Sequence, residues 1–321
     1  MGYLKQKAAA MMMAVMMTAV IATMATAMMV SSHLLITQAT MVRHALEIKR
    51  YLNDLEVLAG RELLLKWKST KGQLYHVGFF INGGSVGHVQ VTGKIYDVSG
   101  LFNINLLKHS NMIPYFTTLI HEVSPTTSLV KAKELSKNIY LFISRPDQGL
   151  PYSNFVPPYQ PAGQPFVSRQ SLRLVSGFSA SLVNKLLPYI VVLPEKAKVN
   201  INSASIMVLR ALLTPKKASI DNAQSLMSCK QDVTYFSSDK ALAACTDPLK
   251  NKGISLNTQA ITFTSRYFLL YGSIQQGSRS YHPMALLTLV SDKPSQPAGD
   301  AGANNKTIKK WPKLKIVWQS W

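Results

Sequence analysis

The side chains able to do covalent or acid–base chemistry in this chain are few and scattered. Its seven histidines, His33, His44, His76, His88, His109, His121 and His282, show no HExxH or other close metal spacing. Ser176 in LVSGF and Ser85 in GGSVG lack the flanking glycines of a nucleophile elbow. Gly83, Gly84 and Gly87 are not followed by the Lys-Ser/Thr ending of a phosphate loop. Turns and core positions absorb these residues, and an enzyme is not expected. Cys229 and Cys245 stand in a polar stretch with no His beside them, too few ligands for structural zinc. They read as a disulfide if the compartment oxidises.

The elements that must position these residues begin with the N-terminus. Most of the 14 methionines crowd into the first 41 residues. After the short basic MGYLKQK, Ala8 to Val30 contains only Thr18, Thr23 and Thr26 as polar members, long enough as a helix to span a hydrocarbon core of roughly 30 Å. Lys5 and Lys7 would stay on the cytoplasmic side. A secretory signal is the simpler reading, but its apolar core is about 7–15 residues and ends in a turn. Here no Pro occurs from Ser31 to Trp67 and Gly only at Gly60, while Leu34, Leu35, Met41, Val42, Ala45, Leu46, Leu52, Leu55 and Leu58 recur near helical spacing. One helix over 9–67 is predicted, a rod of roughly 90 Å. Such a rod suits lateral packing in a filament.

With 321 residues the chain has room for more than one core. The net charge of +20, from 35 Lys and Arg against 15 Asp and Glu, favours anionic partners and says nothing of fold. Short basic clusters occur at Lys216/Lys217 and at Lys306, Lys309, Lys310, Lys313 and Lys315, and read as solvated faces. Strands are expected near 73–98, helices near 106–257, and strands again around Ile261–Leu270, Tyr281–Val290 and Lys315–Trp318, with a Pro/Gly/Asn loop at 293–307.

Two sets of residues carry a family resemblance. Lys5, Gln6, Lys7, Ala8 and Ala9 resemble the processing site of type IV pilins and pseudopilins, cut here between Ala8 and Ala9. Ala8 departs from the usual Gly before the cut. A second departure is Met13, the fifth mature position, where most pilin-like subunits place a Glu; a carboxylate in lipid is costly unless paired. Its absence implies a subunit lacking the usual neighbour. Asp97, Gly100, Phe102, Asn103, Asn105 and Leu107 fit the Asp-x-x-Gly-x-Phe-Asn-x-Asn-x-Leu signature of the K-type minor pseudopilins (general secretion pathway protein K) of type II secretion. PPYQPAGQPFVSRQSLRLVSGFS at 157–179 follows, with Ser168 a helix cap and Leu172, Leu174 and Val175 its apolar side. Asn200 and Asn202 then resemble the family's Asn-x-Asn-Thr-Ala segment, with Ser203 replacing Thr as a cap.

The resemblance implies an α+β fold: a long N-terminal transmembrane, pilin-like helix and an antiparallel pilin-type sheet with a large inserted all-helical domain, SAM-like and helix-hairpin-helix-like. The units expected are a prepilin leader 1–8, the helix 9–67, a first sheet segment 68–105, the insertion 106–257 and a second sheet segment 258–321. The function implied is that of a minor pseudopilin at the pseudopilus tip, initiating or capping assembly for export of folded proteins across the outer membrane. Implied partners are the I-type and J-type minor pseudopilins, with the H-type and the major pseudopilin as further candidates, and prepilin peptidase. The location implied is the bacterial inner membrane, single-pass, with the C-terminal domain in the periplasm. Calcium is the one cofactor the family allows, but the matching stretch 141–149 has Asp147 alone, with Asp232, Asp239 and Asp247 near the cysteines; none is expected. The alternative is a membrane-anchored periplasmic helix-hairpin-helix protein that binds nucleic acid, suggested by LVSGFSASLVNKLLPYIVVLP. Its turn offers only Arg173 and Lys185 nearby, so no nucleic acid is expected. A membrane-anchored protein unrelated to filaments is the third reading, and it predicts that Ala8 and Ala9 stay joined.

Overall fold

The structure, a computed structural model, describes residues 2–70, 74, 78–86, 89–145, 152–161, 163–214, 218–232, 235–290 and 312–320. The Lys216/Lys217 cluster, Asp147 and the 293–307 loop lie outside them, as do Lys306, Lys309 and Lys310.

Helix α1 runs Gly2–Ser69 without a break, as a stretch with no proline and few β-branched residues in its second half should. Its two halves have different surroundings. From Met11 to Ile36 every side chain faces outward, including Met13, Met16, Met24, Met28 and Met29. Further on, Ile48, Leu52, Leu55, Ala59 and Leu63 form a buried stripe at helical spacing. Of the apolar residues predicted at helical spacing, Leu52 and Leu55 belong to this stripe and Leu58 packs beside it, whereas Leu34, Leu35, Met41, Val42, Ala45 and Leu46 are exposed. The sheet begins to cover the helix only at Glu47, whose carboxylate accepts a long 3.5 Å bond from Gln276.

That sheet is antiparallel, with β1 Gly78–Val86, β2 Val89–Asp97, β7 Tyr267–Gln276, β9 Met284–Val290 and β10 Lys313–Ser320 in that spatial order, and β8 Arg279–Tyr281 hairpinned onto β7. Alternation assigns Val91, Ile95, Phe268, Leu270, Ala285 and Leu287 to the face under α1. Leu55 seats in a hole made by two glycines paired across β2 and β7, Gly93 and Gly272. A Cβ on Gly272 would stand 2.9 Å from Pro283 and 3.2 Å from Leu55, and one on Gly93 3.3 Å from Leu55. Gly272→Val is therefore expected to lift the helix and cost about 1–3 kcal/mol, read as a lowered thermal midpoint of a fragment beginning at Arg43.

Between the neighbouring strands β2 and β7 the chain leaves the sheet and builds a helical body. It contains α2 Ile113–Val123, α3 Leu129–Ser144, α4 Ala180–Leu186, α5 Ile206–Leu212, α6 Ile220–Asp232 and α7 Asp239–Lys250. Two-residue parallel pairs, β3 Phe102–Asn103 with β4 Ile190–Val191 and β5 Val199–Asn200 with β6 Ile261–Thr262, tie it together. Serines at 128, 179, 205 and 238 cap α3, α4, α5 and α7 through their side-chain oxygens. Its core, around Phe102, Leu107, Phe116, Leu135, Ile139 and Phe236, is distinct from the one beneath α1.

Three local expectations change. Ser168 does cap, accepting from Gln170 N at 3.2 Å, but the element is a 3-10 helix over Arg169–Leu174. Leu172 and Val175 are buried there while Leu174 is half exposed, because the tighter turn rotates it outward. The strand expected over Ile261–Leu270 is interrupted between β6 and β7, where the chain changes partner from the body to the sheet.

Candidate functional site: the joint between sheet and helical body

Asp97, at the end of β2, is the hub of the joint. Its Oδ1 accepts from Ser99 N at 2.9 Å, closing the turn. Its Oδ2 accepts from Ser203 Oγ at 2.5 Å and from Ser265 Oγ. Asn200 Nδ2 donates to the same two hydroxyl oxygens, at 3.2 and 2.7 Å, and to Leu74 O at 3.4 Å. Ser99 Oγ donates to Tyr267 O and accepts from Arg266 N and Tyr267 N at 2.9–3.1 Å. Ser99, Asn200 and Ser265 are buried and Asp97 and Ser203 partly so, and polar groups bonded this fully hold a unique arrangement. Ser203 is thus a ligand of Asp97; the cap of α5 is Ser205, whose Oγ accepts from Val208 N.

Gly100 lets two backbones meet. A Cβ there would lie 2.4 Å from the carbonyl carbon and oxygen of Ser203 and 2.8 Å from Ala204 N. Phe102 and Leu107 are fully buried, Phe102 against Phe116 with ring centroids 5.3 Å apart.

The four asparagines form two matching clamps, a duplication that the motifs taken singly do not show. Asn105 accepts from Phe166 N (2.8 Å) and donates to Phe166 O (3.0 Å) and Leu193 O (2.9 Å). Asn202 accepts from Phe236 N (2.8 Å) and donates to Phe236 O (2.9 Å) and Phe263 O (2.8 Å). Two residues earlier, Asn103 Oδ1 accepts from Asn105 N, and Asn200 Oδ1 from Asn202 N. Asn103 adds bonds to Leu193 N, Pro194 O and Ala197 O. Each clamp replaces strand pairing with a side-chain amide, which is why Asn and no apolar residue fits. The recurring signal is visible in the sequence as FNIN at 102–105 and VNIN at 199–202.

Cys229 on α6 and Cys245 on α7 are joined, with Cα atoms 5.9 Å apart, and their loop contains Phe236. Lys230 Nζ donates to Asn202 O at 3.1 Å, and burial pushes its ammonium below the ordinary lysine range. Reduction is expected to cost about 3 kcal/mol, from the entropy of a loop of this length, and to loosen the second clamp; denaturant unfolding with and without reductant measures it.

Elsewhere, Ala8 and Ala9 lie on α1, with side chains outside the described ones, and Met13 projects outward. Among the described residues no group of three or more His, Cys, Asp or Glu could hold a metal. The helical hairpin turn carries Gly177 at φ 90°, and a Cβ there would strike Leu135 of α3, with Lys131 next to it. The turn rests on α3. Through the serine hydroxyls that donate to the Asp97 carboxylate, the network ties the end of β2 to the body and to the start of β7.

Comparisons with known proteins agree with this geometry. Residues 100–195, starting at Gly100 and spanning the first clamp, match the family described as Type II secretion system, protein K. The chain is 23% identical over 310 residues to the type II secretion system protein K of Klebsiella pneumoniae, covering 88% of this chain and 92% of that one. Its fold resembles the crystal structure of the GspK-GspI-GspJ complex from the enterotoxigenic Escherichia coli type 2 secretion system, with a TM-score of 0.60, 16% identity, and coverage of 87% of this chain and 98% of that one. A long apolar N-terminal helix laid on an antiparallel sheet, with a helical body between adjacent strands, is a pilin-like α+β fold. Within that class, the resemblance seen in the motif holds at every level compared: it is to the K-type minor pseudopilin of type II secretion.

Proposed function

We propose that the chain sits at the tip of the pseudopilus, where it initiates or caps the filament that exports folded proteins. The observation that carries this is the helical body inserted between β2 and β7: a bulge of that size on the side of a closely packed shaft leaves no room for a neighbour, whereas an end has room. Met13, exposed where a Glu would pair with a neighbouring subunit, supports the same place. Partners of the I and J types follow from the complex in which the similar E. coli protein was solved; H-type and major pseudopilins would lie further down. Among the described residues one helix is long and apolar enough to cross a membrane; it fits an inner-membrane anchor before assembly, with the sheet and body in the periplasm and no catalytic role. The division into leader 1–8, helix 9–67, split sheet 68–105 and 258–321, and insertion 106–257 belongs to the same proposal.

Two measurements test it. Mass spectrometry of the native N-terminus is expected to find a mature chain beginning at Ala9; an intact Ala8–Ala9 bond would remove prepilin peptidase from the account. Immunogold labelling of sheared pseudopili is expected to mark filament ends, and label along the shaft would contradict the tip position.

A further inference from the structure

The sheet's outer edge and the helical body leave a groove between them. It is walled by Val167, Val192 and Leu193 from the body and by Leu286, Val317 and Trp318 from the sheet, with a volume of about 550 Å³. A second hollow of about 440 Å³ continues it past Trp318, over Val98, Leu269 and Met284. Strand β10 pairs only with β9 among the described strands, so its outer edge presents main-chain donors and acceptors. A bulge between Ile316 and Trp318 breaks the alternation, so the consecutive residues Val317 and Trp318 both face the groove. The edge is apolar where it meets the groove: Val317 is 40% exposed, and Val167 on the opposite wall 77%.

Charge around it is mostly positive, and its one acid is paired. Arg169, Glu195 and Lys196 are the charged residues on the walls. Glu195 is already held by Lys108 at 2.7 Å, which leaves, as cations without a carboxylate among the groove's walls, Lys196 and Arg169, the latter steadied by a 3.0 Å bond to Leu187 O, with Lys315 exposed on the strand itself. Lysines on an edge are a common protection against chance pairing, but here they flank a stretch, 316–318, that stays apolar and unprotected.

We propose that β10 and this groove dock an extended segment of a partner polypeptide, paired to the strand through its main chain, with apolar side chains in the groove and carboxylates toward Arg169, Lys196 and Lys315. Backbone bonding supplies affinity in this mode, and the alternate side chains supply selection. The proposal concerns the surface alone and stands whether or not the chain caps a filament.

The test uses the full chain in nonionic detergent and a fluorescein-labelled heptapeptide of alternating valine and glutamate, followed by fluorescence anisotropy. Saturable binding is expected, weakened about tenfold or more (each tenfold being 1.4 kcal/mol) when lysine replaces glutamate. Two further peptides, N-methylated at all valines or at all glutamates, each lose the donors of one edge, and one of them should lose about tenfold or more. Val317→Asp, at a half-exposed position, should weaken the acidic peptide similarly, and Trp318→Ala provides a neutral second variant. No binding of the acidic peptide, or equal binding of both methylated peptides, would overturn the proposal. So would a Val317→Asp chain that binds as the parent does.

Discussion

Replacing Gly100 by alanine is expected to destabilise the folded chain by about 3 kcal/mol or more, the upper end of what overpacking costs. The methyl would stand 2.4 Å from the Ser203 carbonyl, and that obstacle is backbone, which cannot swing aside as a flexible side chain can. Parting the two segments would pull Ser203 from Asp97 and misplace Asn200 and Asn202, so the joint and the second clamp should fail together. Gly84→Ala is the contrasting case: it has positive φ (80°) but open space within 4 Å of its Cβ position, and its cost should stay near 1 kcal/mol, that of placing an L residue in the left-handed region. Chemical denaturation of both variants measures the difference. Equal small losses would mean that the close approach at Gly100 is not what the motif glycine provides.

A fragment starting at Thr70 is expected not to fold, whereas one starting at Arg43 should unfold cooperatively. The predicted helix ends at 67 and the predicted sheet segment begins at 68, but a cut at that boundary strips the sheet of Ile48, Leu52, Leu55, Ala59 and Leu63. At ~1.5–3 kcal/mol per fully buried large aliphatic side chain, the loss is on the order of 6–12 kcal/mol, comparable with the whole stability of a domain. Arg43 is a natural start because it is the first charged residue after Lys7 and pairs with Glu47 at 3.2 Å. Circular dichroism melting and gel filtration distinguish the outcomes. A cooperative melt from the shorter fragment would show that the sheet holds without its helix.

Much of this architecture was legible in the sequence. A break-free apolar run gave the long helix, and β-branched alternation gave β2 and β7. Hydrophobic spacing could not say which stretch of the helix is covered, because the apolar residues of 34–46 and of 48–63 look alike locally and only the sheet distinguishes them. The motif residues were recognised, but their jobs come from long-range partners. Ser203 and Ser205 are equally good caps by type, and Asp97, more than a hundred positions away, decides that Ser203 bonds to it. Ser265 was invisible for the same reason, since it splits an apparently continuous strand in order to reach the same carboxylate. The repeated Asn-x-Asn segments were present as text, and became a duplication only when Phe166 and Phe236 were seen in equivalent grips.

The measurement closest to the central claim is co-purification of residues 43–321 with the soluble domains of the I-type and J-type minor pseudopilins encoded with this chain. A stable complex with one copy of each, read by light scattering on gel filtration, is the predicted result. A folded, disulfide-intact fragment that elutes alone in the presence of both would contradict the tip assignment.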